Sequence, residues 1–157
     1  MDDGRGDFDF LFGRWQVQNR RLARRLVGDT TWEVFDATAE VRPILGGLGN
    51  YDALTIPRYV DGAPLNGGTV RVFDPRTRSW RIWWVDDRQC EIQPPVVGRF
   101  EGDRGSFFGD DTLGGRPIRV WFDWRRGDHT ASWSQAFSAD GGATWETNWE
   151  MTLTRAD

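Results

Sequence analysis

From Trp145 to Arg155 the chain alternates with a period of two. Trp145, Thr147, Trp149, Met151, Leu153 and Arg155 fall on one side, and Glu146, Asn148, Glu150, Thr152 and Thr154 on the other. Successive side chains of a strand point to opposite faces, so this run reads as a strand with one buried face. The apolar set is expected to be interior, and it carries Arg155 inward with it. Shorter runs of the same kind recur. Trp15, Val17 and Asn19 alternate with Gln16, Gln18 and Arg20, and Ile118, Val120, Phe122 and Trp124 alternate with Arg119, Trp121, Asp123 and Arg125.

Turn-forming clusters separate these runs. Asp74-Pro75-Arg76-Thr77-Arg78-Ser79 lies between Thr69–Asp74 and Trp80–Asp86, Gly102-Asp103-Arg104-Gly105 between Val96–Glu101 and Ser106–Asp110, and Arg126-Gly127-Asp128-His129 between Ile118–Arg125 and Thr130–Ser138. Turn signals at this rhythm give about eight to ten strands, with no competing helix-period segment. The expectation is an all-β fold: one antiparallel up-and-down β-barrel, a single domain over residues 1–157, with a short helical turn at Phe8–Phe12 plugging its floor. Thr31–Val41 reads as the second strand, with its inward face undecided. The segment Arg42–Asn50, rich in glycine and opened by Pro43, reads as irregular, either a portal flap or a plain connection, and Asp61–Gly68, with Pro64 and the pair Gly67-Gly68, reads as a turn region. Ser138-x-Asp140-x-Gly142-x-Thr144-Trp145 matches the Asp-box pattern of propeller hairpins. A propeller needs repeats, so one copy is turn chemistry alone.

Closing a barrel pairs its first and last strands and removes the exposed edges. The first strand-like run opens with Gly13-x-Trp15 and the last closes with Arg155, so the guanidinium could lie over the indole face. This signature resembles that of the calycins, the lipocalin and fatty-acid-binding-protein superfamily. Phe10-Leu11-x-Gly13-x-Trp15 together with Asp140-Gly141-Gly142-x-Thr144-Trp145 is similar to bacterial lipocalin-like proteins in particular. The resemblance implies structural roles for Gly13, Trp15 and Arg155, and binding of a small hydrophobic molecule, although a fold does not fix a function.

The net charge of −4 argues against nucleic acid, whose phosphates select basic surfaces. All 20 basic residues are arginine, which excludes Schiff-base chemistry on a lysine side chain. One basic cluster, Arg20-Arg21-Leu22-Ala23-Arg24-Arg25-Leu26, reads as a solvated strand extension and turn, with an anionic ligand or partner as the alternative. The single cysteine, Cys90, excludes an internal disulfide and a multi-cysteine metal site. No run approaches membrane-spanning length, so the expected setting is cytoplasmic, without a membrane. The single histidine, His129, falls in a predicted turn without a serine elbow nearby. No metal site is expected, and no cofactor: some calycins bind haem through histidine, but a turn position does not suit His129 to that role.

Ten tryptophans and ten phenylalanines exceed what a small core needs, and an aromatic-lined cavity accounts for the excess as well as plain filling does. The expected ligand-binding residues are Trp84, Asp86, Trp124, Trp133, Gln135, Phe137, Trp149 and Met151. Asp36, Arg71 and Gln135 are the candidates for catalysis, being polar groups on otherwise apolar strands. Three functions follow. The barrel binds a small, largely hydrophobic or aromatic molecule; it is a cofactor-independent cyclase or isomerase acting on a natural-product intermediate; or it is a structural module with a filled interior. The sequence leaves room for a homodimer.

Overall fold

The computed structural model describes residues 2–156. It is a closed antiparallel barrel of ten strands: β1 (Gly13–Leu22), β2 (Trp32–Ile44), β3 (Gly49–Ile56), β4 (Leu65–Asp74), β5 (Ser79–Asp86), β6 (Val96–Glu101), β7 (Arg104–Leu113), β8 (Arg116–Arg126), β9 (Thr130–Ser138) and β10 (Glu146–Arg155). Each strand pairs with its sequence neighbour, and β1 also pairs with β10, setting Trp15 opposite Arg155. Among the described residues, no helix is long and apolar enough to cross a membrane.

Closure explains the terminal motif. Trp15 is buried and donates from Nε1 to the Leu11 carbonyl at 2.8 Å. The Arg155 guanidinium lies 4.0 Å above the Trp15 ring centre, a cation–π contact. It donates to the Phe12 carbonyl and, at 2.7 Å, to the Phe10 carbonyl. Gly13 has φ +110°, and a Cβ there would lie 2.8 Å from Arg155 Nη1, so both the backbone and the guanidinium require glycine. A 3₁₀ turn, Asp9–Leu11, follows Phe8 across this end. The Phe8 ring meets Trp80, Phe100, Phe107 and Trp124 with centroids 5.0–6.0 Å away. This end of the barrel is therefore sealed by aromatic packing.

Three expectations need correction. Arg42–Asn50 is not a flap: β2 runs on through Pro43 to Ile44, and the connection shrinks to a 3₁₀ turn, Leu45–Gly47. Beyond Val41, which faces Gly13, β2 has β3 as its one partner, so the missing N–H of Pro43 breaks no second ladder. This turn also lies at the plugged end. The second correction concerns Gly67 and Gly68, read as turn and found within β4. Gly67 makes room for Trp84, whose ring would meet a Cβ there at 2.0 Å.

The third concerns β10. Its alternation holds from Trp149 to Arg155, but the register shifts between Thr147 and Trp149. Asn148 is the bulged residue, fully buried, and Thr147 is thrown to the exposed outside. Trp145 is likewise outside, packed with Phe108 and Trp121, ring centroids 6.0 and 5.6 Å away.

The Asp-box segment is turn chemistry. Asp140 accepts from Ser138 Oγ at 2.7 Å, Thr144 N at 2.9 Å and Thr144 Oγ1 at 2.5 Å. These bonds hold its carboxyl well below the usual carboxylate range. A hydrogen bond from Arg88 does the same for Asp61, lowering it from 3.8 to about 2. Groups whose pKa is lowered by folding stabilise the fold above the unfolded value and lose that contribution as pH falls through the folded one. The melting temperature is expected to hold near neutrality and to drop as pH falls from 3.8 toward about 2, less steeply in Asp61→Asn. Thermal melts in a pH series check this, and a parallel fall in the variant would exclude Asp61 as a contributor.

Candidate functional site

The interior encloses a cavity of about 140 Å³ that runs from the plugged floor to the opposite mouth. Alternation decides its wall. Val17 comes from β1, Ala39 and Val41 from β2, Leu54 from β3, and Val120, Phe122 and Trp124 from β8. Trp133, Gln135 and Phe137 come from β9, and Trp149, Met151 and Leu153 from β10. Trp133 is the hub of an edge-to-face group, with Phe122 at 5.1 Å and Trp149 at 5.7 Å between ring centroids. Trp149 is fixed by its Nε1, which donates to Asn19 Oδ1 at 3.0 Å, and Asn19 is itself fully buried.

The floor is polar. Arg71 is 2% exposed. Its Nη1 donates to Asn50 Oδ1 at 2.8 Å and its Nη2 to Asp52 Oδ2 at 2.5 Å. Register sets the group: Asn50 lies directly opposite Arg71 across β3 and β4, and Asp52 opposite Thr69. The guanidinium carbon sits 5.2 Å from the Phe8 ring centre and 5.3 Å from that of Trp124. A charge this deep is tolerated only when paired and hydrogen-bonded, and Asp52 supplies the pair. Two donors here have no acceptor, Arg71 Nε and Trp124 Nε1.

On the side wall, Gln135 Nε2 donates to Asn148 Oδ1 at 2.8 Å. The bulge at Asn148 brings that amide inward beside Gln135. The Asn148 Nδ2 has no partner.

Of the residues expected from sequence, Trp84, Trp124, Trp133, Gln135, Phe137, Trp149, Met151 and Arg71 all line this cavity. Asp86 does not. It shapes the β5 exit turn at the rim, accepting from Trp84 Nε1 at 3.0 Å and from the backbone N–H of Arg88 and Gln89. Asp36 is on the outer face of β2, exposed between the buried Phe35 and Ala37, and takes no part in the cavity. His129 is exposed in the turn between β8 and β9, outside the cavity. Among the described residues, no group of three or more His, Cys, Asp or Glu is placed to hold a metal ion.

The partners of Arg71 were not found from the sequence. Asn50 and Asp52 alternate with Tyr51 and Ala53, and the buried Leu54 and Ile56 continue their face, so the signal lay in β3's own period. The narrow fit at Gly67 predicts a further effect. Gly67→Val is expected to push Trp84 off the wall and to cost roughly 1–3 kcal/mol by overpacking. Urea unfolding with the indole N–H signal of Trp84 as second readout checks it; an unshifted Trp84 signal would refute the contact.

Comparison with known proteins gave no match: neither a protein-family model nor a curated protein aligns with the chain.

Proposed function

We propose that this barrel is a calycin-type binding protein whose cavity takes one small, largely apolar or aromatic molecule. The observation that carries the reading is the composition of the wall: mostly aromatic and aliphatic, with a few polar groups, the Arg71–Asp52 cluster at the closed end, Gln135 on the side wall, and Gln93, Asp110 and Asp111. Ligand sites commonly combine apolar lining with a few convergent polar groups. A cavity near 140 Å³ suits a molecule of about one ring, since engineered cavities of about 150 Å³ hold benzene. The unpartnered donors of Arg71 and Trp124 favour a ligand with an acceptor oxygen at its inner end. The lone thiol, Cys90, is free and exposed, which favours a reducing, cytoplasmic setting.

The test uses the tryptophans themselves. Toluene and p-cresol titrated into ¹⁵N-labelled protein are expected to shift the indole N–H signals of Trp124, Trp133 and Trp149. Those of the outer Trp121 and Trp145 should stay in place. Native mass spectrometry of freshly purified protein should show a retained small molecule. If the inner signals ignore both probes and the mass is bare, the tryptophans serve packing alone and the structural-module reading replaces this one.

The buried Arg71–Asp52 pair favours one rival, a cofactor-independent cyclase or isomerase. Such a barrel folds a flexible substrate and aims a fixed charge or donor at it. Conversion of a recovered ligand, abolished in Arg71→Met while binding survives, would establish that rival; a ligand recovered unchanged from every incubation would exclude it.

A further inference from the structure

The basic cluster Arg20–Arg25 is unevenly partnered. Arg20 pairs with Glu150 and Arg24 with Asp29, each at 3.9 Å, and both arginines lie at the surface. Arg21 and Arg25 form no ion pair among the described residues. Arg21 is 7% exposed, yet its guanidinium makes one hydrogen bond, from Nη1 to the Leu22 carbonyl at 3.3 Å, and its Nε has no partner. Its charge rests on rings, 5.4 Å from the centre of Tyr59 and 5.6 Å from that of Trp149. Arg25 lies 5.5 Å from the Phe137 ring centre. Trp149 and Phe137 line the cavity, so both cations stand one ring away from it, at the mouth opposite the plug.

This is an unbalanced arrangement. Burial, and then the neighbouring Arg21 charge, lowers the Arg25 pKa, the reverse of what a carboxylate partner would do. Glu33 stands opposite Arg21 in the β1–β2 register, but no ion pair joins them, and several other charges at this end are engaged. Arg88 is bonded to Asp61, and Asp86 accepts from Trp84, Arg88 and Gln89. Glu146 accepts from the Leu26 N–H at 2.7 Å. A buried and a half-buried cation side by side carry a cost that an anion between them would relieve, and guanidinium groups bind oxyanions through charge-assisted hydrogen bonds.

We propose that Arg21 and Arg25 form an oxyanion site at the cavity mouth, filled by the carboxylate of a small aromatic acid whose ring occupies the cavity. The carboxylate faces outward beside Arg21 and Arg25, and the ring lies inward against Trp133 and Trp149. This ligand class rests on the cavity-binding reading above; the anion site itself does not.

Three probes separate the two: 3-phenylpropionate, the neutral 3-phenylpropanamide, and sodium acetate. Each is titrated into ¹⁵N-labelled protein while the Arg21 Nε–H and Trp149 Nε1–H signals are followed. The acid is expected to bind about tenfold more tightly than the amide. Arg25→Gln should remove most of that preference with amide affinity unchanged, and Arg24→Gln, the surface control, should leave it intact. Arg21→Met gives the same reading at the second cation. Acetate shifting Arg21 while neither phenyl probe enters would support a free-anion site and sink the cavity reading. Equal affinity for acid and amide, with no response to acetate, would overturn the anion site and leave the cavity standing. No response to any of the three would overturn both.

Discussion

Asp52→Asn is expected to destabilise the protein by about 3–5 kcal/mol, because it leaves the Arg71 guanidinium buried and uncompensated. Asp52 and Arg71 are 8% and 2% exposed, so water offers little compensation in place of the lost carboxylate. The remaining bond to Asn50 Oδ1 is neutral and cannot balance the charge. Arg71→Met alone should also cost several kcal/mol, since it strands the carboxylate instead. The double variant Asp52→Leu with Arg71→Met should recover most of the loss, because an apolar replacement of similar volume removes the desolvation penalty with the pair. Urea unfolding of the parent, Asp52→Leu, Arg71→Met and the double variant gives the cycle directly. A single variant within about 1 kcal/mol of the parent would mean that water reaches the pair, and the dry polar floor would have to be abandoned.

The second large effect belongs to barrel closure. Trp15→Ala should cost about 3–5 kcal/mol, the usual range for emptying a buried aromatic site. It removes the surface under Arg155 and the Nε1 bond to Leu11 together, so the plug loosens along with the seam. Arg155→Ala should be milder, about 1.5–3 kcal/mol for hydrogen bonds from a charged group, and Gly13→Ala should fail through its φ of +110°. Thermal and urea unfolding rank the three. If Arg155→Ala matched the parent, the guanidinium would be decoration on the seam and not part of it.

The seam was the part of the fold most legible in sequence. Gly13, Trp15 and Arg155 each have one geometric reason to be where they are, and the reason acts within a single pair of strands. The inner phase of β10 was legible for the same cause from Trp149 onward. It failed at Trp145 and Thr147 because the polar–apolar pattern continues unbroken through a bulge. That bulge turns the Asn148 side chain toward Gln135 on another strand, a contact that the pattern of one strand alone does not carry. The floor was hidden for a similar reason. Arg71 stood out as a charge on an apolar strand, but its partners depend on which residue of β3 the register sets opposite. Asp36 misled because β2 carries Ala37 and Ala39 on its inner face, and small inner residues leave the hydrophobic contrast between faces weak.

The pairing of β1 with β10 has a kinetic side. Arg155 and the Phe12 carbonyl it holds are 143 positions apart in the chain. Contacts that distant are costly in loop entropy and slow folding. During synthesis the outer edge of β1 exists long before β10 leaves the ribosome, and it presents unpaired N–H and C=O groups the whole time. Its alternate residues Arg14, Gln16, Gln18 and Arg20 face solvent, two charges and two amides along the edge that waits longest. The nascent chain thus carries its own guard against pairing with a neighbour until its last strand arrives.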